Sequence, residues 1–302
     1  MASPISIFDR SLLRKRRDRA ASGFAAHDFL VREAAERLLD RLDDVTRHFP
    51  VALDLGCHTG QVADTLAGRG GIRTLVQCDL SPAMARAAAA NGHPTVCADE
   101  EWLPFAPASF DLVLSCLSLH WVNDLPGTLV QIRRILKPDG LFLAALLGGD
   151  TLAELRRALM EAELEAEGGA SPRVSPMAEV RDLGGLLQRA GFALPVVDSD
   201  AVPVTYGDPM RLMADLRGMG ETNAVAAQRK TFTRRATLLG ALQRYGQLFA
   251  RDDGRLPATF QLLTLTGWAP HPDQPKPLPR GSAGLSLARA LADEPDLPPD
   301  ES

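Results

Sequence analysis

The stretch Val51-Ala52-Leu53-Asp54-Leu55-Gly56-Cys57-His58-Thr59-Gly60 constrains this chain more than any other. An apolar run too short for a helix leads into an acid and then into a turn with two glycines. Such a run reads as a buried strand, and a glycine in the turn lets backbone approach a ligand where a Cβ would stand in the way. Open α/β sheets take their ligands at the carboxyl ends of their strands, so this turn is a predicted binding edge. The glycines are spaced Gly56-x-x-x-Gly60 rather than G-x-G-x-x-G, so no tight pyrophosphate cradle is written here.

A cofactor without a phosphate suits that turn better. S-adenosylmethionine (SAM) is one, and Asp54 would meet its ammonium group, directly or through a water. Gly71 to Cys78 reads as a second strand ending at Asp79, which lies 19 positions after Gly60. That is about the offset at which an acid meets ribose hydroxyls in a nucleotide-binding βαβ unit. Pro94 to Cys97 reads as a short third strand that delivers Asp99 and Glu100, acceptors for an adenine amine, while Leu103 packs on the ring. Each acid alone reads as a helix cap or a solvated turn, but acids at three successive strand ends read as one site. The expected cofactor contacts are Asp54, Gly56, Cys57, Gly60, Asp79, Leu80, Asp99, Glu100, Leu103 and Ser115.

The alternation continues along the chain. Ser109 to Ser115 has a buried-strand pattern and Asp124 to Leu136 has helical apolar spacing. Lys137-Pro138-Asp139-Gly140 is a turn feeding a strand over Leu141 to Leu147. Helices follow over Leu152 to Glu167 and Glu179 to Ala190, the latter closed by Gly191. The predicted fold is α/β: a doubly wound, mostly parallel seven-stranded sheet with N-terminal helices and a helical lid inserted before the last strand. Residues 1–50 form the helical segment, 51–206 the SAM-binding core, 207–257 the lid over the substrate and 258–269 the last strand. Residues 270–302, proline-rich and acidic, read as a disordered tail.

Composition bounds the function classes. The 302 residues are 45% hydrophobic, ample for a core, and their formal net charge of −5 argues against a nucleic-acid or general polyanion binder. No apolar run approaches the roughly 18 residues that span a bilayer, and the N-terminus lacks an apolar secretory core, so a cytoplasmic location is expected. Arg14-Lys15-Arg16-Arg17-Asp18-Arg19 reads as a solvated helix face; peripheral contact with an anionic membrane surface is the other reading. Cys57, Cys78, Cys97 and Cys116 are spaced by the βα repeat and form no C-x-x-C pair, so no metal is expected. His120, after the fourth strand, is a candidate base or a histidine bonded within its loop. Asp150, after the fifth, reads first as a helix N-cap and second as a base or guanidinium partner.

Several strings carry a family resemblance. Leu53-Asp54-Leu55-Gly56-Cys57, Asp79, Leu103-Pro104-Phe105 and Phe110-Asp111-Leu112-Val113 resemble the class I SAM-dependent methyltransferases, close to the malonyl-carrier-protein methyltransferases of biotin synthesis. Longer strings resemble the mitochondrial complex I assembly factor 5 family, from about residue 5 to about residue 285: Ile7-Phe8-Asp9-Arg10, Ala98-Asp99-Glu100-Glu101 through Phe105, Leu117 to Pro126, Gly148-Gly149-Asp150-Thr151-Leu152 and Gly218-Met219-Gly220-Glu221. The resemblance implies a SAM-binding fold used in complex I maturation, acting on an arginine of a hydrophilic subunit, in the mitochondrial matrix if the source is eukaryotic. On that reading Asp150 and Glu221 converge on the substrate guanidinium.

The chain departs from the superfamily at His58, where most members have Gly, and the residue puts a ring into the cofactor turn. Hydroxylation itself is not derivable from the residues, because the six histidines form no H-x-D pair of the kind that helps face an oxygen-activating iron. Three readings stay open. A protein-modifying enzyme predicts a carboxylate-rich cleft. A methyltransferase of a small-molecule or acyl-carrier carboxylate predicts a closed apolar pocket with a basic rim. A non-catalytic assembly chaperone would keep SAM as a structural ligand.

Overall fold

The computed structural model describes residues 6–275. Two helices lead, α1 (Arg10–Ala20) and α2 (Phe29–Asp43), joined by a 3-10 turn over Ala21–Ala26. Asp9 starts α1 by accepting from the Leu12 amide at 2.9 Å, the geometry of an N-cap. Then β1 (Val51–Leu55), α3 (Gln61–Thr65), β2 (Thr74–Asp79), α4 (Pro82–Ala89), β3 (Thr95–Cys97), β4 (Phe110–Cys116), α5 (Leu125–Ile135) and β5 (Leu136–Leu147) follow. Ser81 caps α4 through the Met84 amide, and Asp124 caps α5 through the Gly127 amide. A proline in the first turn of each helix suits a position that has no amide partner to lose. The chain closes with α6 (Ala153–Glu167), α7 (Val180–Arg189), β6 (Ala193–Tyr206), α8 (Pro209–Gly218), α9 (Arg235–Phe249) and β7 (Leu256–Trp268).

The strands form one sheet in the order β3-β2-β1-β4-β5-β7-β6. All neighbouring pairs from β3 to β5 are parallel, and β7 runs antiparallel to both β5 and β6. The order reverses between β1 and β4, which places the switch point, where open α/β sheets take their ligands, beside the turns after Leu55 and Cys116. The turn expected at Lys137 to Gly140 lies inside β5 as a bulge. The register jumps there from Phe110↔Leu136 to Leu112↔Leu141, and Asp139 has a φ of 62°.

Alternation along the central strands sorts the core into two faces. Ala52, Leu112 and Leu114 pack with Leu30, Ala34 and Leu38 of α2, whereas Leu53, Leu55 and Val113 pack with Leu129 and Ile132 of α5 and Leu183 and Leu187 of α7. The segment expected as a lid is built into the first of these cores: Leu212, Leu216, Ala241 and Tyr245 are buried with Leu155 and Ala158 of α6. Between α8 and α9 the chain crosses the carboxyl edge of the sheet, where Val225 bridges Phe8. No helix among the described residues is long and apolar enough to cross a membrane. The tail expected to be disordered lies, from residue 276 on, outside the described residues.

Candidate functional site

The turn after β1 requires its glycines. Gly56 has a φ of 75° and a Cβ there would collide with Ser118; Gly60 has a φ of 102° and a Cβ would collide with Asn91. The Gly56 and Cys57 amides donate to the Cys78 carbonyl at 2.8 and 3.0 Å, which ties the turn to β2. Asp54 is fully buried at this edge, and neither of its carboxylate oxygens has a partner. Burial, reinforced by the charge of Asp79, pushes its carboxyl up to about 8. A buried acid left unpaired is costly to ionise, and a cation beside it would remove that cost. The arrangement fits the ammonium group of SAM.

Asp79 accepts from the His58 amide at 3.0 Å and the Ser81 amide at 2.7 Å. Burial pushes its carboxyl up to about 6, although Arg17, 3.8 Å away, opposes the shift. The other acids of the row are held by α1. Arg10 Nη2 donates to Asp99 Oδ1 at 2.6 Å and also to Glu100 Oε2, while Arg17 Nη1 lies 3.3 Å from Glu100 Oε1. The Ser118 hydroxyl donates to the same Glu100 oxygen at 2.7 Å. Burial works against ionisation of Glu100, but the two guanidiniums and Ser118 outweigh it and hold the carboxyl down at about 2. Glu100, expected to accept from an adenine amine, is thus bonded within the protein through both oxygens.

The basic cluster needs the matching correction. Arg14, Lys15 and Arg19 face solvent, but Arg17 is fully buried and Arg16 donates to the Thr222 carbonyl at 2.7 Å. The signal was present: Arg10, Leu13, Arg17 and Ala20 recur at steps of three and four, one stripe of a helix. Arg10 and Arg17 are the site residues that the strand-end pattern does not reveal. Of the remaining expected contacts, Leu80 packs with Phe8, Leu13 and Trp121. Leu103 is buried with its amide on Gln131, and the Ser115 hydroxyl donates to the Leu55 carbonyl at 2.7 Å. Cys57 is a buried free thiol whose pKa burial pushes up.

His58 occupies the turn as a side chain. Its φ of 50° is in the left-handed region, its ring stacks on Phe24 with centroids 5.4 Å apart, and Nε2 lies 3.0 Å from the Cys116 carbonyl. Burial, with Arg17 second, lowers its pKa to about 4, so the ring is neutral at neutral pH and Nε2 carries the proton that the carbonyl accepts.

A second cluster lies beyond the fourth strand. Glu221, in the link after α8, has a buried side chain and takes two bonds on Oε2: from Trp121 Nε1 at 2.9 Å and from His120 Nε2 at 3.0 Å. Burial opposes its ionisation, but His120 and then Arg17 prevail and hold its carboxyl below the ordinary value. Glu221 also lines a cavity of about 350 Å³ whose walls include Leu155, Leu159, Met177 and Met213 and whose edge carries Arg16, Arg173, Arg217 and Arg229. Asp150 is not in this lining. It is exposed, its amide donates to Gln261 Oε1 at 3.0 Å, and α6 has Leu152 at its N-cap position with no side-chain cap. The structure therefore unites His120 with Glu221 and separates Asp150 from both, so the expected convergence of Asp150 and Glu221 does not occur. Glu221 is the single carboxylate of the cavity lining, so the cleft is not carboxylate-rich. Among the described residues, no group of three or more His, Cys, Asp or Glu is placed to hold a metal ion.

The methyltransferase-domain family matches residues 53–144. The mitochondrial arginine-hydroxylase NDUFAF5 of Danio rerio is 46% identical over 288 residues, covering 94% of this chain and 89% of the relative. The malonyl-[acyl-carrier protein] O-methyltransferase of a Methylovorus species is 35% identical over 281 residues, covering 89% and 92%. Among solved structures, YcgJ of a Bacillus aligns with a TM-score of 0.55 at 14% identity, over 78% of this chain and 99% of that one. The Haemonchus contortus phosphoethanolamine N-methyltransferase 2, solved in complex with SAM, aligns with a TM-score of 0.54 at 18% identity, over 86% and 60%. At these identities the two structures establish the fold, which is the one the strand order shows.

Proposed function

The chain belongs to the methyltransferase superfamily and, within it, to the family of the NDUFAF5 arginine hydroxylases, and from that premise we propose that it binds SAM and modifies an arginine side chain of a protein, by resemblance a hydrophilic subunit of respiratory complex I. The observation that carries the substrate half of this reading is Glu221. An ionised carboxylate beside the apolar wall of the cavity is a charged acceptor, and a guanidinium suits it because its planar fork of donors stays protonated at any physiological pH. His120 and Trp121 hold Oε2, so the carboxylate meets a substrate in one orientation, with Oε1 as the free acceptor.

The cofactor half rests on the unpartnered Asp54 and the glycine turn. Asp54 would hold the ammonium group, Gly56 and Gly60 admit backbone to close range, and Asp79 and Asp99 would hold the adenosine part. When bound, SAM supplies a methyl group already activated by its sulfonium. What the chain adds is alignment of an acceptor, with His120 positioning Glu221. The choice of hydroxylation over methylation rests on the name of the relatives. Their mitochondrial label supports a matrix location if the source is eukaryotic.

A second reading has its own support. Apolar walls with arginines at the edge suit an acyl group that ends in an anion, so methylation of an acyl-carrier carboxylate is the alternative. Mass spectrometry of complex I subunits from a deletion strain separates the readings. Loss of one oxygen from an arginine supports hydroxylation, and loss of a methyl group supports methylation of the same substrate. With no mark lost, the arginine reading fails, and an assay on malonyl-carrier protein then decides between the alternative enzyme and a non-catalytic chaperone.

A further inference from the structure

The cavity at Glu221 continues outward into a groove between α1 and α8. The two spaces share Arg16, Arg217 and Thr222 in their linings, and the outer one, about 620 Å³, adds Arg19, Gly23 and His27. The chain as a whole is acidic, yet this groove collects guanidiniums without carboxylates to match. Arg19 and Arg217 are exposed and, among the described residues, make no ion pair. Arg16 donates to the Thr222 and Asn223 carbonyls rather than to a carboxylate, and burial and then the charge of Arg19 lower its pKa against the opposing charge of Asp9. Two acids stand near. Asp215 is bonded to His27 at 2.8 Å, and Asp9 is engaged as the N-cap of α1. The contrast with the far edge of the cavity is informative, because Arg173 and Arg229 there are neutralised by Glu163 and Glu167.

Uncompensated arginines lining an open groove are a recognition surface for anions, since each guanidinium presents a fork that matches a carboxylate in two bonds. Arg16 and Arg19 sit one turn apart on α1 and Arg217 sits on the facing helix, so the charges are spread along the groove rather than aimed at one point. A spread of this kind suits several carboxylates carried by one chain better than a single phosphate. We propose that Arg16, Arg19 and Arg217 bind an acidic peptide segment of the protein substrate, which docks in the groove while the adjoining residue enters the cavity and reaches Glu221. The proposal deepens the arginine-modifying reading and rests on it. It also reconciles a cationic edge with a cationic target: the flanking acids are recognised outside and the guanidinium inside.

The test titrates the full chain, by fluorescence anisotropy, with a labelled peptide that has glutamates flanking a single arginine and with the same peptide carrying glutamines. Arg19→Glu combined with Arg217→Glu should weaken the glutamate peptide by about tenfold or more and leave the glutamine peptide unchanged, because electrostatic complementarity is reversed. Both arginines are exposed and, among the described residues, their side chains are unbonded, so thermal unfolding should be unaltered; if it is not, Arg19→Gln and Arg217→Gln carry the same comparison. Equal binding of the glutamate peptide by parent and variant overturns the proposal. So does displacement of that peptide by inorganic phosphate at a lower concentration than acetate needs, which makes the groove a phosphate site. SAM titrated into the same preparations reports on the cofactor reading separately: its failure to bind the parent chain ends that reading and leaves the peptide result standing.

Discussion

Arg17 Nη1 lies 3.3 Å from Glu100 Oε1, and both side chains are fully buried. An arginine from the first helix thus neutralises an acid at the carboxyl end of the sheet and ties α1 to that edge. Substituting Arg17 with Met should destabilise the protein by about 1.5–3 kcal/mol, the cost of removing one charged partner from a buried acid that keeps Arg10. Arg17→Met combined with Glu100→Gln should recover part of that loss, because the buried charge that Arg17 compensated goes too while Arg10 keeps Asp99. Urea unfolding measures both, and a single variant within about 1 kcal/mol of the parent would show that the pair does not hold α1.

Asp54 makes the protein sensitive to pH in a definite direction. Its carboxyl titrates at about 8 when folded against an ordinary 3.8, so between those values the folded state keeps a proton that the unfolded state has lost. Stability contributed by this group therefore falls as pH rises through that window. Asp54→Asn, which mimics the protonated acid, should raise the unfolding temperature near the top of the window by on the order of 5 °C and have little effect below it. The parent should bind SAM more tightly as pH rises toward about 8, because the ammonium group needs the ionised acid. The Asn variant should lose that dependence. Calorimetry across pH decides: a flat profile in the parent removes Asp54 from the ammonium site.

His58 is a test of whether the turn tolerates a side chain or uses it. Its left-handed φ is relieved by glycine, and its ring is replaced by open space beside the Cys116 carbonyl. His58→Gly should bind SAM at least as tightly as the parent. A loss beyond about tenfold would instead make the imidazole a ligand contact, since relief of backbone strain alone works the other way.

Glu221 and Asp150 should behave differently. Glu221→Gln removes the charge that would hold a guanidinium and should abolish modification of the complex I subunit while SAM binding persists. Asp150→Asn, exposed and outside the cavity lining, should leave modification intact. Mass spectrometry of the subunit from a deletion strain complemented with each variant reads both. Retained modification in the Glu221→Gln strain ends the arginine-site assignment.

The amino-acid sequence alone determined the sheet and its binding edge. Strand and helix periodicity, the helix start at Asp124, the stop at Gly191 and the two glycines of the turn are local properties, set by backbone sterics and by which face of a short segment is apolar. The switch point between β1 and β4 follows from them, because few topologies connect such a run of strands and helices. The partners of the charges were decided only by the tertiary structure. Arg17 meets Glu100 across 83 positions and His120 meets Glu221 across 101, while Asp150, similar in sequence character, is left in solvent. A charged side chain carries no periodic mark of its destination. Whether it is solvated, buried against an opposite charge or turned into a cavity depends on what the sheet's closure brings beside it, and that is a property of packing rather than of the segment itself.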